Sequence, residues 1–135
     1  MPKAGDHFIV ELKPSHIDWG NYRYTDTRDP IDGEGYIPIP VAYARRFGIY
    51  NSNHSHTGLG YNLFNCTSAD GYFKGVLKAA GSKEAGDIYA KQFEGSGDLK
   101  ALGKWFSKCA AKVGDQVKVQ WISPTDIIIE LLKIS

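Results

Sequence analysis

Stretches in which apolar and polar side chains alternate recur along the chain, and they predict β-strands. Successive side chains of a strand point to opposite faces, so alternation indicates a strand with one buried face. Pro38 cannot donate to a sheet ladder, which places its stretch at a sheet edge or at a strand end. Alternation is clear in residues 116–121 and imperfect in 61–66, and short apolar stretches between turn signals complete the set. The predicted strands are residues 7–12, 35–39, 61–66, 72–79, 88–93, 116–121 and 127–134.

A short stretch after the second predicted strand has helical spacing. It starts at Pro40, whose missing N–H costs nothing at a helix start, and it ends at Gly48, a residue typical of helix ends. The apolar side chains that share one face of this predicted helix are Val41, Ala44 and Phe47.

A second helix is predicted over residues 98–112, with Asp98 as its N-cap. Its apolar positions are Leu99, Leu102, Phe106, Cys109 and Val113. Another face carries a row of four lysines, Lys100, Lys104, Lys108 and Lys112, which we interpret as a solvated face. Together, the strands and helices predict a small, largely antiparallel, mainly β barrel formed by one domain over residues 1–135.

Two long polar connections interrupt this pattern. The first runs over about residues 13–34 and holds three large aromatic side chains and two arginines. The second follows the fourth predicted strand and contains Gly81, Ser82 and Lys83. Loops of about 20 residues are uncommon in compact domains and are often functional, so the first connection is a candidate binding segment. The second connection gives its hairpin a long tip.

Composition and charge limit the classes of function. The 135 residues include 42% hydrophobic side chains, which is enough for a packed core. The 16 basic and 15 acidic side chains give a net charge of +1, which excludes a uniformly basic nucleic-acid binder but not a local basic surface.

The chain carries signs of a cytoplasmic protein. It starts without an apolar leader, and its longest apolar run, residues 127–129, is too short to cross a bilayer. Cys66 and Cys109 lie far apart and form no CxxC pair, so we expect reduced, buried thiols.

No motif predicts catalysis or a cofactor. The chain has no P-loop, no GxGxxG, no HExxH and no GxSxG sequence. His54 and His56 alternate, but loop residues flank them and no third ligand follows at a metal-site spacing. We therefore predict no catalytic residue, no metal and no cofactor.

Two segments resemble the B3-like DNA-binding pseudobarrel, the family of plant B3 transcription-factor domains and of recognition or effector domains of bacterial restriction endonucleases. Residues 35–47 (GYIPIPVAYARRF) are similar to the family's strand with an apolar-Pro step followed by a short helix. Residues 99–131 are similar to its helix, its Gly-Asp-x-Val step, here Gly114 to Val117, and its closing hairpin. The long, Tyr-rich first connection is more like the restriction-enzyme branch.

The resemblance implies a seven-stranded open pseudobarrel with two short helices that grips double-stranded DNA by two arms in the major groove. The N-arm corresponds to about residues 13–34 and the C-arm to about residues 79–92. The candidate DNA-binding side chains of the N-arm are His16, Trp19, Asn21, Tyr22, Arg23, Tyr24, Thr25 and Arg28. Those of the C-arm are Lys78, Ser82, Lys83, Tyr89, Lys91 and Gln92.

The candidate side chains have distinct chemical roles. Arginine can bind guanine through two hydrogen bonds, and adenine can be bound in the same way by asparagine or glutamine. Threonine, tyrosine and lysine suit phosphate oxygens. Gln92 is a candidate for adenine and Lys83 for phosphate. On the competing interpretation, the N-arm is a self-packed loop whose arginines pair with Asp18, Asp26, Asp29 and Asp32, and the C-arm is an ordinary exposed hairpin tip.

The leading hypothesis is therefore a non-catalytic, sequence-specific DNA-binding domain in a bacterial or phage setting. Its partners are double-stranded DNA and a separate nuclease domain or subunit, with no membrane. The alternative is a small β-barrel that binds a ligand or carbohydrate on Trp19, Tyr22 and Tyr24. A small hydrolase with a site in the barrel mouth ranks last.

Overall fold

The computed structural model describes residues 1–13, 16, 35–51, 57–81 and 88–133. Within these ranges one sheet of seven strands forms a nearly closed barrel, accompanied by two helices. The strands are β1 His7–Glu11, β2 Ile37–Pro38, β3 Leu63–Ser68, β4 Lys74–Ala80, β5 Gln92–Gly95, β6 Gln116–Ser123 and β7 Asp126–Leu132. The helices are α1 Val41–Phe47 and α2 Ala101–Lys108. The mainly β fold predicted from the sequence is confirmed.

The strand order is β1-β6-β7-β3-β4-β5-β2, so β1 and β2 form the two edges that a closed barrel would join. The neighbours pair antiparallel except for β3 and β7, which run parallel with Asn65 opposite Asp126 and Ser68 opposite Ile129. Across the open edge, the backbone N–H of Tyr36 donates to the backbone oxygen of His16 at 2.9 Å. This hydrogen bond links the segment that follows β1 to the residue that precedes β2.

Aromatic side chains fill the barrel around Trp121. Alternation along β6 directs Val117, Val119 and Trp121 inward, and all three are fully buried. The Trp121 ring has its centroid 5.6–6.3 Å from four rings, those of Phe8, Phe47, Phe64 and Phe93. Its indole Nε1 has no hydrogen-bond partner among the described residues. The core is therefore held by apolar and aromatic packing.

Helix α1 follows the prediction at both ends but not along its whole apolar face. Pro40 directly precedes it with extended backbone, and Gly48 ends it in the left-handed conformation with φ 71°. Ala44 and Phe47 of the predicted apolar face are buried, whereas Val41 is 55% exposed. The helix packs through its middle and its end, where Tyr43 stacks on Phe8 and Phe47 contacts the core, and its first turn extends beyond this contact.

Helix α2 is shorter than the sequence predicts. Asp98 caps a turn that precedes the helix, since its Oδ1 accepts from the Lys100 N–H at 3.0 Å and its backbone oxygen accepts from Ala101. The helix ends at Lys108, so Val113 lies beyond it and is 54% exposed. Its buried side chains are Leu102, Trp105 and Phe106.

The return strand after the second polar connection starts later than predicted. It begins at Gln92, which lies opposite Ala80 at the end of the β4 ladder. Before it, Tyr89 forms an isolated bridge with Tyr50 and Ile88 is exposed. The predicted strand 88–93 is thus wrong in its first half, because those residues pair with the segment after α1 rather than with β4. No helix in the described ranges is long and apolar enough to cross a membrane.

Candidate nucleic-acid interface

The structure describes the points where the two predicted arms join the barrel, which we call their feet. The feet of the N-arm are Lys13 with His16 on one side and Gly35 with Tyr36 on the other. The feet of the C-arm are Ala80 with Gly81 and residues 88–91. The predicted DNA-binding residues Trp19, Asn21, Tyr22, Arg23, Tyr24, Thr25, Arg28, Ser82 and Lys83 lie outside the described residues.

The first foot of the N-arm is a hydrogen-bonded turn. The Lys13 N–H donates to Nδ1 of His16 at 3.0 Å, and the His16 N–H donates to the Lys13 backbone oxygen at 2.9 Å. Burial, and next to it the charge of Lys13, lower the pKa of His16 below its ordinary value. The His16 ring is therefore neutral at neutral pH, and its Nδ1 can accept the hydrogen bond that closes the turn.

The second foot of the N-arm lies against α2. The Gly35 N–H points to the backbone oxygen of Leu99 at 3.4 Å. A Cβ atom on Gly35 would lie 2.8 Å from the backbone nitrogen of Gly103, which is closer than side chains approach backbone atoms. Only glycine fits this contact, and the bond from Tyr36 to His16 then joins the two feet.

Asn51 connects both feet of the C-arm. Its side chain is fully buried, and its Oδ1 accepts from the backbone N–H of Gly81 at 3.0 Å. Its own backbone N–H donates to the oxygen of Ile88 at 2.9 Å. One residue of the segment after α1 thus holds the C-arm where it leaves the barrel and where it returns.

Three half-buried tyrosines surround this connection. Tyr50 stacks on Tyr89 with ring centroids 5.5 Å apart and an angle of 21° between the planes. Tyr61 lies on Tyr50 at 6.4 Å, and its backbone oxygen accepts from the Tyr50 N–H at 3.0 Å. Of the three, only Tyr89 was predicted as a site residue.

The outer faces of β4 and β5 form the surface between the arms. Leu77, Ala79 and Phe93 point inward, so the side chains between them in sequence point outward. Lys78 lies opposite Glu94 and Ala80 lies opposite Gln92. Lys78 and Gln92 are therefore diagonal neighbours on one face, at the spacing of about 7–8 Å that such pairs have.

The arms join this surface at opposite ends of β5. The register of β2 with β5 places Ile37 opposite Phe93, so the second foot of the N-arm lies beside the end of β5. The C-arm returns at Gln92, where β5 begins. Four strand residues span about 10 Å, which is close to the width of the DNA major groove, about 12 Å.

The described part of the site thus brings together four of the predicted residues and separates a fifth. Tyr89, Lys91, Gln92 and Lys78 lie on or beside the C-arm foot and the outer face of β4 and β5. The Lys91 N–H donates to the Ala80 oxygen at 2.8 Å, which keeps its backbone on the end of β4. His16 lies at the other foot pair.

Among the described residues, further exposed cations lie on the two helical stretches. The four predicted lysines of the second helical stretch are all exposed, and Lys104 has its Nζ 3.6 Å from Asp98 Oδ2 in a solvent-exposed ion pair. Arg45 and Arg46 are exposed in the last turn of α1, where the helix dipole favours positive charge.

The cysteines and the candidate metal residues supply no further chemistry. Burial raises the pKa of the Cys66 thiol, and burial together with the nearby Asp70 carboxylate raises the pKa of Cys109. Neither thiol is activated as a nucleophile. Among the described residues no three His, Cys, Asp or Glu side chains form a group that could hold a metal ion, and His54 and His56 lie outside those residues.

Asn51, Tyr50 and Tyr61 are not among the site residues predicted from the sequence, because Asn51 begins a polar loop over residues 51–60 and the two tyrosines only flank it. The only signal in the sequence was the pair of tyrosines that flank this loop. Their pairing with Tyr89 joins residues far apart in the chain, and no short-range pattern encodes such a contact.

Comparison with known proteins shows a likeness of fold. No family model matches the chain, and no curated protein matches it. Among solved structures, the N-terminal domain of Helicobacter pylori LlaJI.R1 is similar, with a TM-score of 0.54 and 10% sequence identity over 96% of this chain and 89% of that one. At this identity the likeness shows a shared barrel architecture across nearly the whole chain.

Proposed function

We propose that this chain binds double-stranded DNA sequence-specifically, with its two arms in the major groove. The observation that carries the proposal is the arrangement of the arm feet. Two long connections leave the barrel at opposite ends of β5, and the outward-facing Lys78 and Gln92 lie between them. The spacing of about 10 Å along β5 suits a major groove.

In this proposal the residues divide into those that position the DNA and those that read it. Lysines suit phosphate oxygens, so Lys78 and Lys83 bind the backbone. Arg23, Arg28, Asn21 and Gln92 have side chains that can make paired hydrogen bonds to guanine or adenine. The aromatic side chains of the N-arm brace it or contact thymine methyl groups.

The charge distribution implies modest affinity for random DNA. The net charge of +1 includes acidic residues within both arms, and these weaken the attraction to phosphates. Specific binding then depends on base contacts more than it does for a strongly basic protein.

The biological setting that we propose is a restriction system. The structural neighbour LlaJI.R1 is a restriction-system protein, and the sequence resembles the restriction-enzyme branch of the B3-like family. In such a setting this domain recognises a short site and either delivers a separate nuclease domain or regulates one. Cleavage itself is assigned to that other domain or subunit.

A gel-shift titration with duplex DNA at two salt concentrations tests the proposal. Each phosphate contact releases counterions, so affinity must fall steeply as salt rises. Arg23→Ala and Arg28→Ala should weaken the preferred site alone, while Lys83→Ala should weaken all sequences equally. Lys108→Ala, on the exposed face of α2, is the matched control and should leave the affinity for both the preferred site and random DNA unchanged.

The same titration separates DNA binding from carbohydrate binding. Stacking of a neutral sugar on aromatic side chains hardly depends on salt. Absence of a shift at low salt, with saturable binding in a glycan screen, would overturn the DNA proposal. Equal loss of preferred and random DNA in every arm variant would overturn base readout while leaving non-specific DNA binding.

A further inference from the structure

We propose that Asn51 is a positioning residue that sets the orientation of the C-arm for base readout. The inference rests on the proposed DNA binding and extends it to a segment outside both arms. Asn51 follows α1 and its side chain is fully buried, so it acts on DNA only through the arm that it holds.

Asn51 makes hydrogen bonds with both sides of the C-arm. The bond from the Gly81 N–H to Asn51 Oδ1 measures 3.0 Å and joins residues 30 positions apart. The bond from the Asn51 N–H to the Ile88 oxygen measures 2.9 Å. Six residues, 82–87, separate Gly81 from Ile88, so a single side chain and its backbone define both ends of the arm's tip.

The neighbouring residues extend this contact into a short strand-like pairing. The Ala90 N–H donates to the Ile49 oxygen at 3.0 Å, and Tyr50 and Tyr89 form an antiparallel bridge with stacked rings. Residues 49–51 thus run alongside residues 88–90 as a support for the returning side of the arm. On the other side, where the C-arm leaves the barrel, the Asn51 side chain holds Gly81 through its hydrogen bond.

The burial of Asn51 gives the bond to Gly81 its weight. A buried amide that loses its partner costs free energy, and the part-buried Gly81 N–H would lose its acceptor at the same time. This bond gives the backbone N–H of Gly81, in the foot from which the C-arm leaves, a defined acceptor. Base readout requires such precision, because a hydrogen bond to a base edge weakens steeply when its angle or distance changes.

Asn51→Leu removes the accepting oxygen at nearly constant side-chain volume and is the main test. We expect faster amide exchange at Gly81 in the free protein and a loss of about tenfold in the affinity ratio between the preferred site and random DNA. Affinity for random DNA should stay within about twofold, since the phosphate contacts remain. Asn51→Asp keeps an accepting oxygen at the same position and should restore the ratio in part.

The matched control is Asn62→Leu. Asn62 is also buried and lies in the turn before β3, where its Oδ1 accepts from the Gly58 N–H at 2.6 Å, a contact within its own turn. A merely structural role for Asn51 predicts the same loss of thermal stability and an unchanged specificity ratio in both variants. Should Asn51→Leu fail to fold, Asn51→Ser replaces it, because the shorter hydroxyl keeps polarity but not the reach to Gly81.

The outcomes separate the two proposals. An unchanged specificity ratio in a folded Asn51 variant, with wild-type protein that prefers one site, overturns the role of Asn51 and leaves DNA binding intact. Absence of DNA binding by the wild-type chain overturns both. A lowered ratio in Asn51→Leu and not in Asn62→Leu, together with faster exchange at Gly81, supports the inference.

Discussion

The backbone N–H of Tyr36 donates to the backbone oxygen of His16 at 2.9 Å, and this bond joins the two feet of the N-arm across the open edge of the barrel. The two residues lie beside the edge strands β1 and β2, which do not pair with each other. The barrel is thus fastened at the place where its longest connection leaves it. Feet joined by a hydrogen bond have a defined separation, which suits an arm proposed to read a defined base sequence.

His16 should make the stability of the protein depend on pH. Its pKa is lowered in the folded state by burial and by Lys13, so the neutral ring is favoured. Its contribution is fully present above the unfolded-state pKa of about 6.5 and is lost as pH falls through the lower folded-state pKa. Urea unfolding at a series of pH values between about 5 and 8 measures how the free energy of unfolding changes with pH.

His16→Asn keeps an acceptor that does not titrate, so it should flatten this part of the pH profile. His7→Asn, which changes an exposed histidine of β1, is the control and should leave the profile as in the wild type. An equal pH profile for His16→Asn and wild-type protein would refute the role of the His16 ring.

Gly35→Ala should destabilise the protein and displace the N-arm. The added Cβ would lie 2.8 Å from the backbone of Gly103, and forced overpacking of this kind costs about 1–3 kcal/mol. Gly75→Ala is the matched control, since a Cβ there meets the Phe73 ring at 3.7 Å, an ordinary contact. Thermal unfolding of both variants measures the difference, and equal melting temperatures would contradict the close approach.

Asp70 should stabilise the contact between the β3–β4 turn and α2. Its carboxylate accepts from Trp105 Nε1 at 3.1 Å and from the Tyr72 N–H at 3.0 Å, and Ser68 also donates to it. Burial alone would raise the pKa of Asp70, but these hydrogen bonds outweigh it and lower the pKa below its ordinary value. Asp70→Ala should therefore lower the free energy of unfolding at pH 7 by about 1 kcal/mol.

The Asp70 contribution should be present above the unfolded-state pKa of about 3.9 and disappear as pH falls through the lowered folded-state pKa. A double-mutant cycle with Trp105→Phe isolates the indole bond, because phenylalanine keeps the ring and loses the N–H. Strict additivity of the two substitutions at pH 7 would show that this bond does not stabilise the fold.

Lys78 and Gln92 should affect DNA binding in different ways. Lys78→Ala should reduce the slope of log affinity against log salt by about 1 and weaken all sequences alike. Gln92→Ala should cost about 1–3 kcal/mol on the preferred site and relax one base position. Gel-shift titrations on preferred and random duplexes measure both. A uniform loss for Gln92→Ala would remove it from base readout.

The sequence predicts the fold better than it predicts the site. Alternation along residues 116–121 identifies β6, because a strand with one buried face repeats every two residues, and the apolar stretch from residue 127 after a turn identifies β7. Gly48 marks the end of α1, since it has the left-handed conformation that glycine adopts easily. These features are local, and local patterns determine them.

The site depends on contacts between distant residues, which local patterns do not contain. Val41 fits the apolar face of α1 but extends past the place where the helix meets the core. Residues 88–90 have an apolar and aromatic pattern typical of a strand, yet they pair with residues 49–51, and it is Lys91 that bonds to Ala80 at the end of β4. The role of Asn51 follows from this pairing and could not be predicted from a polar loop.

Selection from a random duplex library with the full chain tests the central claim most directly. The arrangement of two arms beside Lys78 and Gln92 predicts enrichment of one short motif, and binding to that motif should weaken as salt rises. If sequencing after binding finds no enriched motif, and the chain retains no duplex DNA at low salt, the result contradicts sequence-specific DNA binding.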